Sequence, residues 1–336
     1  MLLDIVILIL SLIMSLFVTF YRMWFYKKLK PIITFLKKKK TLFDSNGIPY
    51  VDYGYKEKIN IGVQRNPIAV AVHALKLYNK YNSTKNKKIK KMFMNNANWL
   101  LHNTLKKKGF STLEYSFPWP TYNLQPPWRS AMANGQALQA LCLAHKLSND
   151  MKYLDTARNL LHSFFVEVHE GGVTYKDSFD SWWYEEYVAD NYNVKESRVL
   201  NGMLFTLIGI YDYYKYTQDI KAKILFNKGI KNVTKNLAKY DNNGYSYYDI
   251  LNNPANNYHK IHIDLLNQLF NITNEVVFKK YSDRWNNYYV MVQCKKKNKK
   301  SIIGLSFYKR KKNILFTVIT FLNIFLIFKL MVYLLK

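Results

Sequence analysis

The sequence contains few of the residues that mark disulfide-rich, metal-binding or nucleotide-binding proteins. Its 336 residues include two cysteines, twelve glycines and seven histidines. Two cysteines cannot build a disulfide framework. Cys142 lies in the apolar run LQALCLAH and is predicted to be a buried thiol, whereas Cys294 adjoins a basic segment. No HExxH motif and no glycine-rich phosphate loop occur, so we predict neither a metal nor another cofactor.

Acidic residues are also scarce, with 22 Asp and Glu against 50 Lys and Arg, and the formal net charge is +28. The excess is concentrated near the two ends of the chain. Residues 27–40 carry seven Lys and residues 295–312 carry nine Lys or Arg, and neither segment contains an acid. Such a distribution favours two juxtamembrane segments over a nucleic-acid surface, so no nucleic-acid partner is predicted.

Long apolar runs occur at two places, residues 5–20 and residues 314–335, and each adjoins one basic segment. Each is close to the roughly 20 residues that cross a bilayer core. We therefore predict two membrane anchors in contact with lipid. A cleaved signal peptide is the alternative for the first run, but no small-residue cleavage site follows it. The positive-inside rule places the intervening domain in the cytoplasm; a lumenal or extracytoplasmic domain is the alternative.

Between the predicted anchors the pattern is helical. The sequence is 49% hydrophobic and 16% aromatic, which predicts a sizeable core. Apolar residues recur at spacings of three and four in eight segments, which predicts eight paired helices in an all-α fold, an (α/α) barrel or toroid. Residues 41–65 alternate aromatic and polar side chains and predict a short β-hairpin before the first helix. The eight segments are residues 67–81, 89–105, 131–147, 153–168, 199–216, 220–237, 262–270 and 275–289.

Four segments carry a resemblance to a known family. Residues 126–138 read PPWRSAMANGQAL, residues 181–187 SWWYEEY, residues 198–212 RVLNGMLFTLIGIYD and residues 257–269 NYHKIHIDLLNQL. In this order and spacing they resemble the C-terminal helical catalytic domain of the D-glucuronyl C5-epimerases, the family of the heparosan and heparan glucuronate 5-epimerases. The resemblance covers about residues 60–290. It implies a helical scaffold with its site at the loops joining the helices.

The resemblance also implies roles for four residues. Inversion at C5 of a hexuronate requires removal of the proton α to the carboxylate and delivery of another to the opposite face. Tyr187 and Tyr258 match the family's two acid/base tyrosines, Glu186 matches the glutamate beside the first, and Tyr248 matches a third tyrosine. A free phenol has a pKa of about 10, so as a base it needs stabilisation of its phenolate, which Glu186 is predicted to tune or relay.

One family feature is missing. The arginine expected after Tyr248 is replaced by Leu251, so another cation must neutralise the substrate carboxylate. We predict Arg129, because arginine binds carboxylates bidentately, with Arg198 and Lys260 as alternatives. Six further residues are predicted to bind substrate through amides, an indole ring and imidazoles, namely Asn134, Gln136, Asn201, Trp128, His259 and His262. His259 is predicted either to take part in proton transfer or to orient Tyr258.

The sequence therefore predicts a cofactor-independent membrane enzyme that converts D-glucuronate to L-iduronate within a polysaccharide or lipid-linked oligosaccharide, with a homodimer left open. A polysaccharide lyase or glycosidase on the same scaffold is one alternative, and a non-enzymatic glycan-binding membrane protein is the other. The predicted organisation is an anchor (residues 1–26), a basic segment with a hairpin (27–60), the catalytic domain (61–292), a basic linker (293–312) and a second transmembrane segment (313–336).

Overall fold

The structure is a computed structural model that describes residues 5–18, 21, 42–190, 196–301 and 318–327; of residues 295–301 only the backbone is described. The chain divides into two compact units, Lys40–Val290 and a unit made of Met1–Lys39 with Met291–Lys336. In chain order, the α-helices of the described residues are α1 (residues 5–18), α2 (Pro67–Thr84), α3 (Lys87–His102), α4 (Ala131–Ser148), α5 (Met151–His162), α6 (Leu200–Thr217), α7 (Ile220–Asn236), α8 (His259–Thr273), α9 (Val276–Ser301) and α10 (residues 318–327).

Local sequence signals set the helix ends. The Asn66 side chain accepts a hydrogen bond from the Ala69 backbone N–H and Pro67 occupies the first turn, so α2 begins there. The Ser130 hydroxyl caps α4 in the same way. Asn149 ends α4 with a positive φ of 56°, a conformation that asparagine tolerates better than most residues.

The larger unit consists of two rows of helices. Helices α2, α4, α6 and α8 form an inner row in which α4 packs against α2 and α6, and α6 packs against α8. Helices α3, α5 and α7 each pack against the inner helix that precedes them in the chain. Ser282 of α9 donates a hydrogen bond to Asn267 of α8 at 2.9 Å. The predicted set of eight paired helices is therefore confirmed, although α5 ends early in a 3-10 turn and α8 begins at His259.

The inner helices α4 and α6 are buried on nearly every side. Their sequences are correspondingly apolar or small all round, as expected of helices in the centre of a domain. Gly135 and Gly209 permit the contact between them. A Cβ added to Gly209 would lie 2.2 Å from the Gly135 carbonyl oxygen, so only glycine allows the two backbones to approach this closely.

Short strands connect the helices, and most of them were not predicted. The expected single hairpin before α2 is instead a three-stranded sheet, β1-β2-β5, and a separate hairpin, β3-β4. Most of these strands are too short for an alternating pattern to reveal them. They are β1 (Leu42–Phe43), β2 (Pro49–Asp52), β3 (Tyr55–Lys56), β4 (Ile59–Asn60), β5 (Val63–Gln64), β6 (Thr104–Lys106), β7 (Ser111–Tyr115), β8 (Trp128–Arg129), β9 (Thr174–Ser178), β10 (Ser181–Tyr184), β11 (Val188–Ala189), β12 (Asp241–Asn242) and β13 (Tyr245–Ser246).

The helices outside Lys40–Val290 do not support the predicted membrane anchors. Among the residues that the structure describes, no helix has the length and apolar character needed to cross a bilayer. Of the two apolar runs, residues 19–20, 314–317 and 328–335 lie outside the described residues. The basic residues 27–40 and residues 302–312 of the predicted linker also lie outside them. Cys142 is a buried free thiol, as predicted, and Cys294 is an exposed one.

The contact between Gly135 and Gly209 can be tested by adding one methyl group. We expect Gly209→Ala to lower the free energy of unfolding by about 1 to 3 kcal/mol or more, because the new Cβ meets backbone rather than a flexible side chain. Lys215→Ala on the exposed face of the same helix is the control. Urea unfolding of the two variants measures the difference, and equal stability would contradict the packing described above.

Candidate active site

Two of the motifs lie side by side in the fold. β11 follows the sequence SWWYEEY and pairs with β8, which holds Trp128 and Arg129; Val188 lies opposite Arg129 and Ala189 opposite Trp128. The Ala131 backbone N–H, in the first turn of α4, donates to the Glu185 carbonyl oxygen at 2.9 Å. The start of the inner helix α4 is therefore joined to the segment that carries Glu186 and Tyr187.

Glu185 holds this segment in place. Its buried carboxylate accepts hydrogen bonds from the backbone N–H of Glu186 at 2.9 Å, the Ser197 hydroxyl at 2.8 Å and the backbone N–H of Arg198 at 2.8 Å. Burial raises the pKa of the Glu185 carboxyl, and these donors oppose that shift. Glu185 thus ties the SWWYEEY segment to the residues before α6, a role that the sequence analysis did not identify.

The Glu186 side chain lies against the first turn of α6. A Cβ on Gly202 would lie 2.3 Å from Glu186 Oε2, so the carboxyl group occupies the space that a side chain at position 202 would take. Oε2 is buried and has no hydrogen-bond partner among the described residues. Burial, together with repulsion from Glu185, raises the Glu186 pKa to about 8, while a hydrogen bond with Tyr187 opposes the shift. Glu186 can therefore exchange a proton near neutral pH.

A cavity of about 210 Å³ brings together the central predicted residues. Glu186, Tyr187 and Tyr258 all line it, although Tyr258 lies some 70 residues after the other two along the chain. The remaining lining residues are aromatic, apolar or amide side chains, namely Tyr53, Asn66, Ile68, Tyr115, Trp119, Trp128, Met132 and Asn201.

The three predicted tyrosines form one connected group. Tyr187 and Tyr248 share a side-chain hydrogen bond, and the Tyr248 and Tyr258 ring centroids are 5.0 Å apart. Burial, reinforced by the nearby Glu186 carboxyl, raises the pKa of all three phenols above 10. They are therefore protonated at neutral pH and can donate protons, whereas accepting one requires a partner that removes the phenolic proton. Tyr258 is 40% exposed, so it can exchange its proton with solvent.

Aromatic rings form one wall of the cavity. Trp128 stacks on Tyr115 with 3.7 Å between ring centroids, and its Nε1 donates to the Phe117 carbonyl oxygen at 2.7 Å. Trp119 lies parallel to Tyr187 at 6.2 Å. Flat rings suit the apolar faces of sugars. The predicted place of Trp128 in the site therefore agrees with its position in the cavity wall.

Asn201 supplies a polar group to the same cavity. It is the second residue of α6, it is 1% exposed, and its Oδ1 has no hydrogen-bond partner among the described residues. A buried amide oxygen without a partner is costly unless a ligand or water satisfies it. Asn201 thus brings an unpaired amide oxygen to the cavity, and its role in binding substrate stays a prediction.

Arg129 lies elsewhere, contrary to its predicted role as the carboxylate ligand. Its side chain is 1% exposed and does not line the cavity. Nε donates to the Gly172 carbonyl oxygen at 3.1 Å, and Nη2 donates to that of Val168 at 3.3 Å and pairs with Asp190 at 2.7 Å. The guanidinium instead fastens β8 to the loop before β9, because alternation along this short strand directs it away from Trp128.

The alternative cations are also engaged outside the cavity. Arg198 makes a bidentate ion pair with Asp177, at 2.7 Å for both bonds, and a second pair with Glu196. Lys260 pairs with Asp264 one turn further along α8. Leu251, at the family's arginine position, is 44% exposed. None of the three predicted cations lines the cavity in the part of the chain that the structure describes.

Asn134 and Gln136 connect structural elements rather than line the site. Asn134 is fully buried; its Nδ2 donates to the Ser163 hydroxyl at 2.9 Å, and its Oδ1 accepts from the Leu113 backbone N–H at 3.1 Å. Gln136 donates to the Phe205 carbonyl oxygen at 3.5 Å, between α4 and α6. Both amides therefore satisfy buried polar groups of the scaffold, and the structure does not bring them to the cavity.

His259 and His262 form a buried anchor behind Tyr258. His259 Nδ1 accepts from the Ser246 backbone N–H at 3.1 Å, which leaves Nε2 as the donor to the Trp285 carbonyl oxygen at 3.2 Å. The Ser246 hydroxyl lies 2.9 Å from His262 Nδ1. Burial lowers the pKa of both imidazoles, for His262 to about 3. Of the two roles predicted for His259, the geometry favours orientation of Tyr258 over proton transfer.

Comparison with known sequences matches this chain to the D-glucuronyl C5-epimerases. The family model of the D-glucuronyl C5-epimerase C-terminus matches residues 106–287, which include all four predicted catalytic residues. An uncharacterized protein of Methanocaldococcus jannaschii is 29% identical over 275 residues, covering 76% of this chain and 88% of that protein. A D-glucuronyl C5-epimerase of Caenorhabditis elegans is 33% identical over 213 residues, or 57% of this chain. That match spans only 34% of the worm protein.

A solved structure shares the fold. Cellobiose 2-epimerase from Bacillus thermoamylovorans superposes with a TM-score of 0.56 at 13% identity, over 84% of this chain and 74% of that one. At this identity the likeness concerns the arrangement of helices alone. It agrees with the paired helices predicted from the periodicity of the sequence.

The raised pKa of Glu186 predicts a pH-dependent change in stability. The folded-state pKa of about 8 lies above 4.5, the ordinary value of the carboxyl group. The folded protein therefore binds more protons than the unfolded chain between these pH values, and its stability falls as pH rises from 4.5 to 8. Glu186→Gln cannot ionise. It should raise the free energy of unfolding by roughly 1 to 3 kcal/mol at pH 8, and by much less at pH 5.

Unfolding by urea at pH 5 and pH 8 measures this difference, with Glu275→Gln at an exposed position as the control. A gain in Glu186→Gln that is the same at both pH values would mean that the carboxyl group titrates normally.

Proposed function

We propose that this chain, which belongs to the D-glucuronyl C5-epimerase family, inverts C5 of D-glucuronate residues to give L-iduronate within a polysaccharide or lipid-linked oligosaccharide. The family membership predicted from the four sequence segments is confirmed by the family-model match over residues 106–287. It supports a carbohydrate epimerase. The glucuronate substrate and the polymer are parts of the proposal.

One observation supports the proposal most strongly. Two phenols line a single cavity together with one carboxyl group, and the pKa of that carboxyl group is raised. Tyr187 and Tyr258 come from separate elements of the chain and line the same 210 Å³ space, with Glu186 beside Tyr187. Two acid/base groups at different points of one site are what inversion through a planar intermediate requires. The aromatic wall and Asn201 give a sugar ring its binding surface.

In the proposed reaction, protons move through Tyr187, Glu186 and Tyr258. Glu186, as the carboxylate, accepts the phenolic proton of Tyr187 while the Tyr187 oxygen takes the C5 proton, so the C5–H bond breaks and an enolate-like intermediate forms. Tyr258 then donates its phenolic proton to the opposite face of C5, and its phenolate regains a proton from solvent. Glu186 loses the proton that it accepted to solvent, which restores the starting state. The intermediate requires a preorganised cation or hydrogen-bond donor at the substrate carboxylate.

A glycosidase reaction has less support. It requires two carboxyl groups facing each other across the scissile bond. Glu186 is the one carboxyl residue among the described residues lining the cavity. Glu185 uses its oxygens to bind backbone N–H groups and Ser197, as described above. The lyase alternative shares the first proton transfer and differs in its product.

Two tyrosine variants test the proposal. Tyr187→Phe and Tyr258→Phe each remove one hydroxyl, and we expect each to lower the rate of solvent exchange at C5 by about 10² to 10⁴, the usual effect of losing an acid/base group. The assay incubates a polymer of glucuronate and N-acetylglucosamine in deuterated water. Disaccharide analysis then reports iduronate and deuterium at C5.

Tyr81→Phe, remote from the cavity on α2, is the matched control. Iduronate carrying deuterium is the expected product of the wild-type protein. An unsaturated uronate would instead indicate a lyase, and no exchange at all would favour a binding protein. Normal exchange in either tyrosine variant would remove that tyrosine from the mechanism.

A further inference from the structure

A second cavity, of about 500 Å³, lies outside the candidate active site. Among the described residues, it shares no lining residue with the cavity that holds Glu186, Tyr187 and Tyr258. Its volume is within the range of about 300 to 1,000 Å³ that is usual for sites of small ligands. The mechanism proposed above uses none of its lining residues, namely Asp177, Trp183, Glu196, Arg198, Asn236, Lys239, Tyr240 and Ile250. This cavity is therefore a candidate for a separate binding site.

The second cavity adjoins the segments that build the active site. Trp183 lies three residues before Glu186, and Arg198 lies three residues before Asn201. Three residues span at most about 11 Å. The Arg198 backbone N–H also donates to the Glu185 carboxylate at 2.8 Å. The same two segments therefore contribute side chains to both cavities.

Trp183 brings an unpaired hydrogen-bond donor to the second cavity. Its side chain is fully buried, and its Nε1 has no hydrogen-bond partner among the described residues. A buried donor without a partner costs free energy unless a ligand or water satisfies it. The Trp183 ring lies parallel to that of Tyr240, with 6.1 Å between the ring centroids. Two flat rings therefore line the cavity, and flat rings suit the apolar faces of sugars.

The charged side chains of the second cavity balance one another. Asp177 accepts two hydrogen bonds from the Arg198 guanidinium, each at 2.7 Å, and Glu196 pairs with the same guanidinium at 2.7 Å. Lys239 adds an exposed ammonium group. Two carboxylates thus accompany two cations, so the cavity has no net charge that would favour an ion. An ionised carboxylate can accept about four hydrogen bonds, so Glu196 can also accept from a ligand, and Lys239 can donate to one.

We propose that the second cavity binds a neutral sugar residue. The hydroxyl groups of a sugar donate to Glu196 and accept from Lys239 and from the Trp183 indole, and its apolar face contacts the aromatic rings. The inference goes beyond the proposed function and does not depend on it, because it concerns binding alone. Together with the proposed function, the second cavity gives the enzyme a contact with its glycan that is separate from the uronate.

The indole N–H of Trp183 reports directly on this site in the ¹H–¹⁵N spectrum of the full-length chain. Its signal is assigned with Trp183→Phe, or through its proximity to the Tyr240 ring if that variant does not fold. The probe is N,N′-diacetylchitobiose, a neutral disaccharide. We expect it to shift this signal saturably, because the N–H gains an acceptor. Lys239→Gln should weaken the binding about tenfold, the effect of losing one charge-assisted hydrogen bond.

Lys235→Gln, at an exposed lysine of α7 that does not line the cavity, is the matched control and should bind the disaccharide as the wild type does. A Trp183 signal that the disaccharide leaves in place, or that moves only with glucuronic acid or inorganic sulfate, would overturn the inference. Unchanged affinity in Lys239→Gln would overturn it as well. Hydrogen exchange at C5 is measured separately: exchange without a shift of the Trp183 signal contradicts only the second site, and a shift without exchange contradicts only the epimerase reaction.

Discussion

The close contact between the Glu186 carboxyl group and the backbone of Gly202 is the constraint on which the site depends. The absence of a side chain at position 202 lets the Glu186 side chain lie against the first turn of the inner helix α6, away from water. Desolvation there raises its pKa to about 8. The same contact fixes Tyr187, the next residue, in the wall of the cavity. The position of one glycine therefore determines both the proton affinity of the carboxyl group and the place of the phenol.

The two sides of the cavity differ in their access to water, and the proposed mechanism uses this difference. Glu186 is 5% exposed, and its side chain lies against α6, a helix that is buried on nearly every side. Tyr258 is 40% exposed, and the histidines behind it are held by Ser246 and Trp285. A carboxylate that is poorly solvated is a stronger base, because burial disfavours its charged form. An exposed phenol recovers its proton quickly from water. In the proposed reaction, the buried side of the cavity, with Glu186 and Tyr187, removes the C5 proton, and the exposed side, with Tyr258, returns one.

The sequence predicted the helices, and it singled out three residues that the fold brings to one cavity, because both results depend on local patterns. Spacings of three and four residues located eight helices, and the matching segments located Glu186, Tyr187 and Tyr258, which the fold brings to one cavity. The prediction for Arg129 failed because a motif does not show which face of a two-residue strand its side chain occupies. The contacts of Glu185 with Ser197 and Arg198 were not predicted, since no local pattern relates residues more than ten positions apart.

The pH dependence of hydrogen exchange at C5 tests the central claim most directly. With glucuronate polymer in deuterated water, the rate for the wild-type protein should rise about tenfold per pH unit below pH 8 and level off above it, because only the Glu186 carboxylate can accept the Tyr187 proton. In Glu186→Gln this rise should disappear, and the rate should stay low throughout. A rate that is constant from pH 6 to pH 9 in the wild type, or that keeps its pH dependence in Glu186→Gln, would contradict the proposed proton relay.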